Sequence, residues 1–182
     1  MSQWIVFLRA INVGGHTVKM DRLRQLFEAL GYRRVETYIA SGNVLFEAPD
    51  ADSDALKERI ENALNEALGY QVSAFLRTAA ELAAIASYAS FQPGDLERAV
   101  AFNVAFLSAA PDEGAQRKLM ALKTDIDDFH VHGREVYWLC SKRQSESTFS
   151  NAILERTTGQ PSTLRGMNTL RKMIEKYALE VL

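Results

Sequence analysis

The sequence predicts an α/β (α+β) fold built from two similar halves, and three observations predict it. Apolar residues switch between a period of two and a period near 3.6 along the chain, which separates strands from helices. The resulting order is β-α-β-β-α-β-α, and it occurs twice within the 182 residues. The segment Ser90-Phe-Gln-Pro-Gly-Asp95 carries the turn residues expected of a join between the copies. A β-α-β-β-α-β unit is the ferredoxin-like arrangement. The expectation is therefore two ferredoxin-like halves, 1–90 and 96–182, each a mainly antiparallel sheet with helices packed on one face.

Each element has its own warrant. Trp4-Ile-Val-Phe-Leu8 is an apolar strand, and Leu23, Leu26, Phe27 and Leu30 make one face of a helix that begins near Asp21 and stops at Gly31. Val35 to Ala40 and Val44 to Ala48 are β-prone runs around the turn Ser41-Gly42-Asn43. Ser53 or Asp54 is the expected cap of a second helix, with Leu56, Ile60, Ala63, Leu64 and Ala67 inward and Gly69 at its end. Val72 to Arg77 is a strand, and Thr78 with Glu81 forms a capping box before a short helix containing Leu82 and Ile85. In the second half, Ala99 to Leu107 is a strand and Glu113 to Lys123 a helix. Phe129 to His132 and Glu135 to Cys140 form a hairpin around Gly133. Ser147 is the expected cap of a helix that buries Phe149, Ala152 and Ile153 and stops at Gly159. Pro161 to Leu164 is a short extended piece, and Asn168 caps a last helix with Leu170, Met173, Ile174 and Tyr177 on one face.

Right-handed crossovers give such a unit the strand order 4-1-3-2. Strands one and two then point the same way, with strand three between them. The turn Ser41-Gly42-Asn43 must lie at the edge where strand one ends. It should face Arg9, Asn12, Gly14 and Gly15, with Arg77 at the opposite edge.

Composition narrows the function classes. A formal net charge of −2 gives no bulk attraction to nucleic acid or anionic membranes. The single cysteine, Cys140, excludes an internal disulfide and a multi-cysteine zinc site, and its strand setting reads as a packed thiol rather than a nucleophile. No stretch resembles a signal peptide or approaches the about 20 apolar residues of a membrane span, so the expected compartment is the cytoplasm. Charge is uneven, however. Residues 1–34 hold Arg9, Lys19, Arg22, Arg24, Arg33 and Arg34 against only Asp21 and Glu28. The acidic stretch 47–66 reads as a solvated helix face.

The basic stretch contains the most site-like segment, Arg9-Ala-Ile-Asn-Val-Gly-Gly-His-Thr-Val-Lys19, a strand-to-helix loop with paired glycines and a cation at each end. Arg9 offers a planar fork of donors suited to phosphate or carboxylate, and Lys19 a point charge at the helix start. The helix dipole favours an anion there by about 0.3–1 kcal/mol, whereas each charge-assisted hydrogen bond contributes about 1.5–3 kcal/mol. The cations would decide affinity, and the glycines would allow close approach. The bland reading is that Gly14-Gly15 merely turns the chain and the cations are paired or solvated. Neither the P-loop pattern nor the Rossmann glycine fingerprint is present. His130-Val-His132 puts two imidazoles on one side of a strand without a third metal ligand nearby, and His16 is the only other histidine. Tyr137 and Trp138 point to opposite faces of a strand, so at most one could stack a nucleic-acid base.

Two motifs carry a family resemblance. Leu8-Arg-Ala-Ile-Asn-Val-Gly-Gly-His with Lys19-Met20, and Thr37-Tyr-Ile-Ala-Ser-Gly-Asn-Val44, resemble the uncharacterised, largely bacterial family catalogued as domain of unknown function 1697. Thr163-Leu-Arg-Gly-Met-Asn-Thr169 resembles that family's closing motif, T-x-R-N-W-N-T, with Gly166-Met167 in place of Asn-Trp. The resemblance implies paired ferredoxin-like halves and carries no established activity. It adds Arg165 and Asn168 as candidate neighbours of the loop. The second half has only Ser108-Ala-Ala-Pro-Asp112 where the first has the glycine loop, an asymmetry that favours function in the first half.

The expected site is therefore Arg9, Asn12, Gly14, Gly15, Lys19, Ser41, Gly42, Asn43, Arg165 and Asn168, taking a small anionic ligand: a nucleotide-like molecule or a phosphate- or carboxylate-bearing metabolite. No cofactor or metal is expected, and whether chemistry follows binding is open. The alternatives are a single-stranded nucleic-acid-binding module and a protein-interaction module using the basic first helix.

Overall fold

A computed structural model describes residues 1–12, 14–39, 42–49 and 52–177. In chain order the first elements are β1 (Ser2–Arg9), α1 (Met20–Ala29), β2 (Arg33–Tyr38), β3 (Asn43–Ala48), α2 (Ser53–Leu68), β4 (Ser73–Thr78) and α3 (Ala79–Ser87). Then follow α4 (Pro93–Arg98), β5 (Ala101–Leu107), α5 (Glu113–Met120), β6 (Asp127–His132), β7 (Glu135–Cys140), α6 (Asn151–Thr158), β8 (Ser162–Gly166) and α7 (Met167–Tyr177). The chain divides into two compact units, Met1–Ala83 and one that begins at Ala84. Each unit holds a four-stranded antiparallel sheet, ordered β2-β3-β1-β4 and β6-β7-β5-β8. The α+β architecture of two ferredoxin-like halves is thus present, in the strand order that right-handed crossovers impose.

The helices are held by the apolar stripes that predict them. In the first unit, Leu23 and Phe27 of α1 and Leu56, Ile60 and Leu64 of α2 pack with Trp4, Val6 and Leu8 of β1 in one buried cluster. In the second, Leu119 of α5 and Leu154 of α6 join Ala105, Leu107, Val136 and Trp138. Residues of alternate parity are no less buried: Ile5 and Phe7 are both 0 % exposed, as are Val104 and Phe106. Thr78 and Glu81 form the expected reciprocal box, with Glu81 N–H donating to Thr78 Oγ1 at 3.1 Å and Thr78 N–H to Glu81 Oε2 at 2.7 Å.

Several local expectations are corrected. Asp52, not Ser53 or Asp54, caps α2, its carboxylate accepting from Asp54 N–H at 3.4 Å. Ser150 rather than Ser147 caps α6. Phe149 is buried ahead of that helix, while Leu154 is its buried residue and Ala152 is exposed. Ser147 is diverted: its N–H closes a one-turn 3-10 helix over Gln144–Glu146 by donating to Gln144 O at 3.2 Å, and its hydroxyl accepts from Phe149 N–H at 3.0 Å and donates to Asp127 at 2.7 Å. α7 starts at Met167 directly after β8, so Asn168 lies inside its first turn instead of capping it. The join between the copies is itself partly helical. Pro93 sits at the start of α4, where its missing N–H is not needed.

Tyr137 links a buried hydroxyl to stability at high pH. It is 0 % exposed and donates to Ile85 O at 2.9 Å. Burial, reinforced by Glu135 and Tyr88, pushes its pKa above the ordinary 10.0. In the unfolded chain the phenol ionises first, so this contribution is complete below about pH 10 and is lost as pH rises above it. The melting temperature is expected to fall from about pH 10 upward, and to fall less steeply in Tyr137→Phe. Equal slopes for the two proteins in a pH series of thermal melts would contradict this.

Candidate functional site

β1 delivers the chain to the loop at Arg9, which lies opposite Ser73 of β4. Ala10 then takes a positive φ of 59°, a conformation uncommon for a residue with a Cβ, and turns the chain out of the sheet. Ile11 returns to the core at 3 % exposure. The loop is pinned at three points. Asn12 Oδ1 accepts from Val18 N–H at 2.7 Å, drawing its two arms together. Tyr70 Oη donates to Ile11 O at 2.8 Å, and the His16 ring stacks on Tyr70 at 4.0 Å between centroids. Burial raises the Tyr70 pKa above its ordinary 10.0. Between these anchors Gly14 and Gly15 stand exposed with φ of 63° and 81°.

The expected partner turn is where the strand order puts it. Leu8 N–H donates to Gly42 O at 2.8 Å, and Phe7 stands opposite Asn43. Gly42 is buried with φ +82°, and a Cβ there would lie 2.8 Å from Ile11 Cγ2 and 3.1 Å from Leu8 Cβ. The turn and the loop are therefore one packed unit. Asn43 is 0 % exposed and donates from Nδ2 to Tyr38 O at 2.8 Å, so its amide closes the turn from inside. Ser41 lies outside the described residues. Ile39, a β-branched residue at φ 50°, adds a second left-handed side chain beside the turn.

Lys19 is the N-cap residue of α1, exposed, and contributes no side-chain cap to the helix. Of the other cations in the basic stretch, Arg24 pairs with Asp21 at 3.7 Å and with Glu28 at 3.3 Å, and Arg34 pairs with Glu47 at 3.3 Å. Arg165 and Asn168 belong to the second unit. Arg165 is 7 % exposed in β8 and donates to Thr163 Oγ1 at 2.7 Å and to Leu164 O at 2.8 Å. Its burial lowers its pKa to about 10, so it stays charged at neutral pH. Asn168 is exposed on the first turn of α7. At Gly166 an added Cβ would meet only ordinary contacts, at 3.8 Å from Thr169 Oγ1 and 3.9 Å from Asn103 Oδ1.

The other candidates have local duties. His130 Nε2 and Tyr88 Oη are 2.9 Å apart, and His132 stacks on Tyr88 at 3.9 Å. Tyr137 and Trp138 are both 0 % exposed, so neither ring presents a face to a nucleic-acid base. Cys140 is a buried free thiol whose pKa burial pushes up. Motif reading misses Tyr70, which lies between α2 and β4, and with it the part that His16, itself within the motif, plays in holding the loop. The signal for Tyr70 is topological: β4 runs antiparallel to β1, so the link before β4 must pass the end of β1.

The central strands β1 and β5 share one hydrogen-bond register with their neighbours. Ile5 stands opposite Arg77 as Val104 stands opposite Arg165, and Leu107 N–H donates to Arg134 O at 2.9 Å as Leu8 does to Gly42. Arg77 thus lies toward the start of β1, at the edge away from the loop. From Leu8 to the N-cap Lys19 the chain takes 11 residues, and from Leu107 to the N-cap Asp112 it takes five. Asp112 also caps its helix with its side chain, accepting from Ala115 N–H at 2.7 Å.

The sequence profile of a family described as protein of unknown function (DUF1697) matches residues 1–137. A solved structure, that of a conserved bacterial protein from Streptococcus pneumoniae, is similar with a TM-score of 0.77 and 22% sequence identity, over 96% of this chain and 97% of that one. At that identity the likeness carries the fold. No curated protein matches. Among the described residues no helix is long and apolar enough to cross a membrane.

Proposed function

We propose that this chain, which belongs to the DUF1697 family of proteins of unknown function, binds a small anion at the loop between β1 and α1. The ligand class is a phosphate- or carboxylate-bearing metabolite, nucleotides included. The observation that carries the reading is the contrast between the two copies of one fold. The second copy joins strand to helix in five residues and caps the helix with Asp112. The first takes six residues more, places Lys19 where the acidic cap would stand, and holds Gly14 and Gly15 at positive φ in the open. An anion at that position would meet the helix start, the ammonium of Lys19 and backbone donors of the loop. Arg9, at the base of the loop, supplies the second cation, and Asn12 holds the two arms together. Ala10 at φ 59° is a further strained position of the kind that clusters at ligand sites.

A thermal-shift panel of nucleotides, phosphorylated metabolites and carboxylates tests the reading. A ligand present at 100 times its Kd should stabilise the protein by about 2.7 kcal/mol. Arg9→Ala and Lys19→Ala are each expected to weaken that ligand's binding by about tenfold or more, the equivalent of one charge-assisted hydrogen bond. The proposal fails if no anion raises the melting temperature, or if both variants respond as the parent does.

A further inference from the structure

The loop 9–19 carries one group that holding an anion does not require, the ring of His16. It lies against Tyr70, with 4.0 Å between ring centroids and 23° between planes. Tyr70 is half-buried and His16 exposed, so the imidazole is the outer layer of the stack. The inner layer is itself fixed. Tyr70 Oη donates to Ile11 O at 2.8 Å, and Ile11, 3 % exposed, belongs to the core of the first unit. The imidazole is therefore an exposed ring held in one plane by a chain of contacts that ends in the core.

The bond from Tyr70 to Ile11 already ties the loop to the segment before β4, and the stack adds a fixed orientation for His16. Ordering an exposed side chain costs rotamer freedom, and a group ordered in advance does not lose that freedom again when a ligand arrives. The backbone beside the ring is bare. An added Cβ at Gly14 would lie 4.0 Å from His16 Cδ2, and one at Gly15 would meet nothing within 4 Å. Gly15 and His16 are adjacent, about 3.8 Å between Cα atoms, so a ring joined through one sugar to an anion on the loop amides can reach the imidazole.

Ligand classes differ in whether they use that ring. A phosphorylated sugar or a simple carboxylate leaves it idle. An apolar aryl acid needs enclosing apolar walls, which an exposed loop does not give. A nucleobase needs only a π-face: it stacks on one ring while its polar edges stay in water. We infer that the anion taken by this loop is a nucleotide, with its phosphate at Gly14, Gly15 and Lys19 and its base stacked on the outer face of His16. The inference rests on the reading of the loop as an anion site and adds the half of the ligand that the cations do not select.

The four common ribonucleoside monophosphates, with ribose 5-phosphate as the control that lacks a base, titrated into the full chain and followed by proton NMR, test the assignment. At least one nucleotide is expected to bind at least about fivefold more tightly than ribose 5-phosphate, the equivalent of one stacked base, and to move the His16 ring protons upfield. His16→Ala should bring that nucleotide to the affinity of ribose 5-phosphate and leave ribose 5-phosphate itself unchanged. His16→Phe, which keeps a ring, should keep the preference, and Lys19→Ala should weaken both ligands alike. Equal binding of nucleotides and ribose 5-phosphate, or an unchanged preference in His16→Ala, would leave the anion site standing and overturn the stacked base. Loss of ribose 5-phosphate affinity in His16→Ala would place the imidazole on the phosphate and overturn it as well. If none of these phosphates binds, the nucleotide is overturned, and the carboxylates of the thermal-shift panel decide whether the anion site falls with it. A hexanucleotide of the preferred base that binds more than about tenfold tighter than the mononucleotide would make the occupant a nucleic-acid strand instead.

Discussion

Gly42→Ala is expected to destabilise the protein by about 3 kcal/mol, read as a lowered urea midpoint with an unchanged slope. Two costs combine. A Cβ-bearing residue held at φ +82° sits in the left-handed region, at about 1–2 kcal/mol. The added methyl would also lie 2.8 Å from Ile11 Cγ2 and 3.1 Å from Leu8 Cβ, an overpacking cost of about 1–3 kcal/mol. Neither contact can yield easily. Leu8 is fixed in β1 by its N–H bond to Gly42 O, and Ile11 is 3 % exposed below a loop tied down by Tyr70. Because relief would come by pushing Ile11 outward, the same substitution should loosen the His16–Tyr70 stack, seen as a change in the His16 ring proton shifts. A loss below about 1 kcal/mol would mean that the turn and the loop are not packed as one unit.

Asp127→Ala should cost about 4 kcal/mol. Asp127 is 2 % exposed and accepts from Trp138 Nε1 at 2.8 Å, Ser147 Oγ at 2.7 Å and Thr124 Oγ1 at 3.2 Å. Removing the carboxylate strands the indole N–H of a fully buried tryptophan, at about 1–3 kcal/mol, and releases the two hydroxyls that hold the turns before β6 and α6. Asp127→Asn keeps one acceptor oxygen, and its amide can donate to a hydroxyl that rotates, so it should cost roughly half as much. Denaturation followed by tryptophan fluorescence reports directly, since Trp138 is the residue that loses its partner. Equal stability of the Ala and Asn variants would show that the hydrogen bonds do not carry the effect.

The large-scale architecture is legible because it rests on periodicity and on glycine. The stripe Leu23, Phe27 and the unbroken apolar run Trp4 to Leu8 of β1 are one-dimensional records of burial. Once the order β-α-β-β-α-β is read, handedness alone puts Gly42 against the end of β1. Helix starts are less legible because several residues compete to cap them. Ser147 is as good a cap on paper as Ser150, and the buried carboxylate of Asp127, 20 residues away in sequence, decides between them. Asn168 is likewise displaced because β8 runs into α7 without a turn. At the candidate site, the cations, glycines and partner turn follow from motif and topology. The Tyr70 clamp and the buried amide of Asn43 do not, because each depends on a side chain reaching a carbonyl that no local pattern announces.

The six residues by which the first strand-to-helix link exceeds the second make the chain its own blank. Five residues suffice to close the same connection in the same sheet order, so replacing 9–19 by the pattern of 108–112 keeps the topology and gives up the buried Ile11 and its bond from Tyr70. Conversely, the long version is a cassette whose natural socket has a near twin in the other half. Shortening one copy and lengthening the other would move the loop proposed to bind the anion from the first half to the second while composition and topology stay fixed, a transplant in which donor and recipient are the same polypeptide.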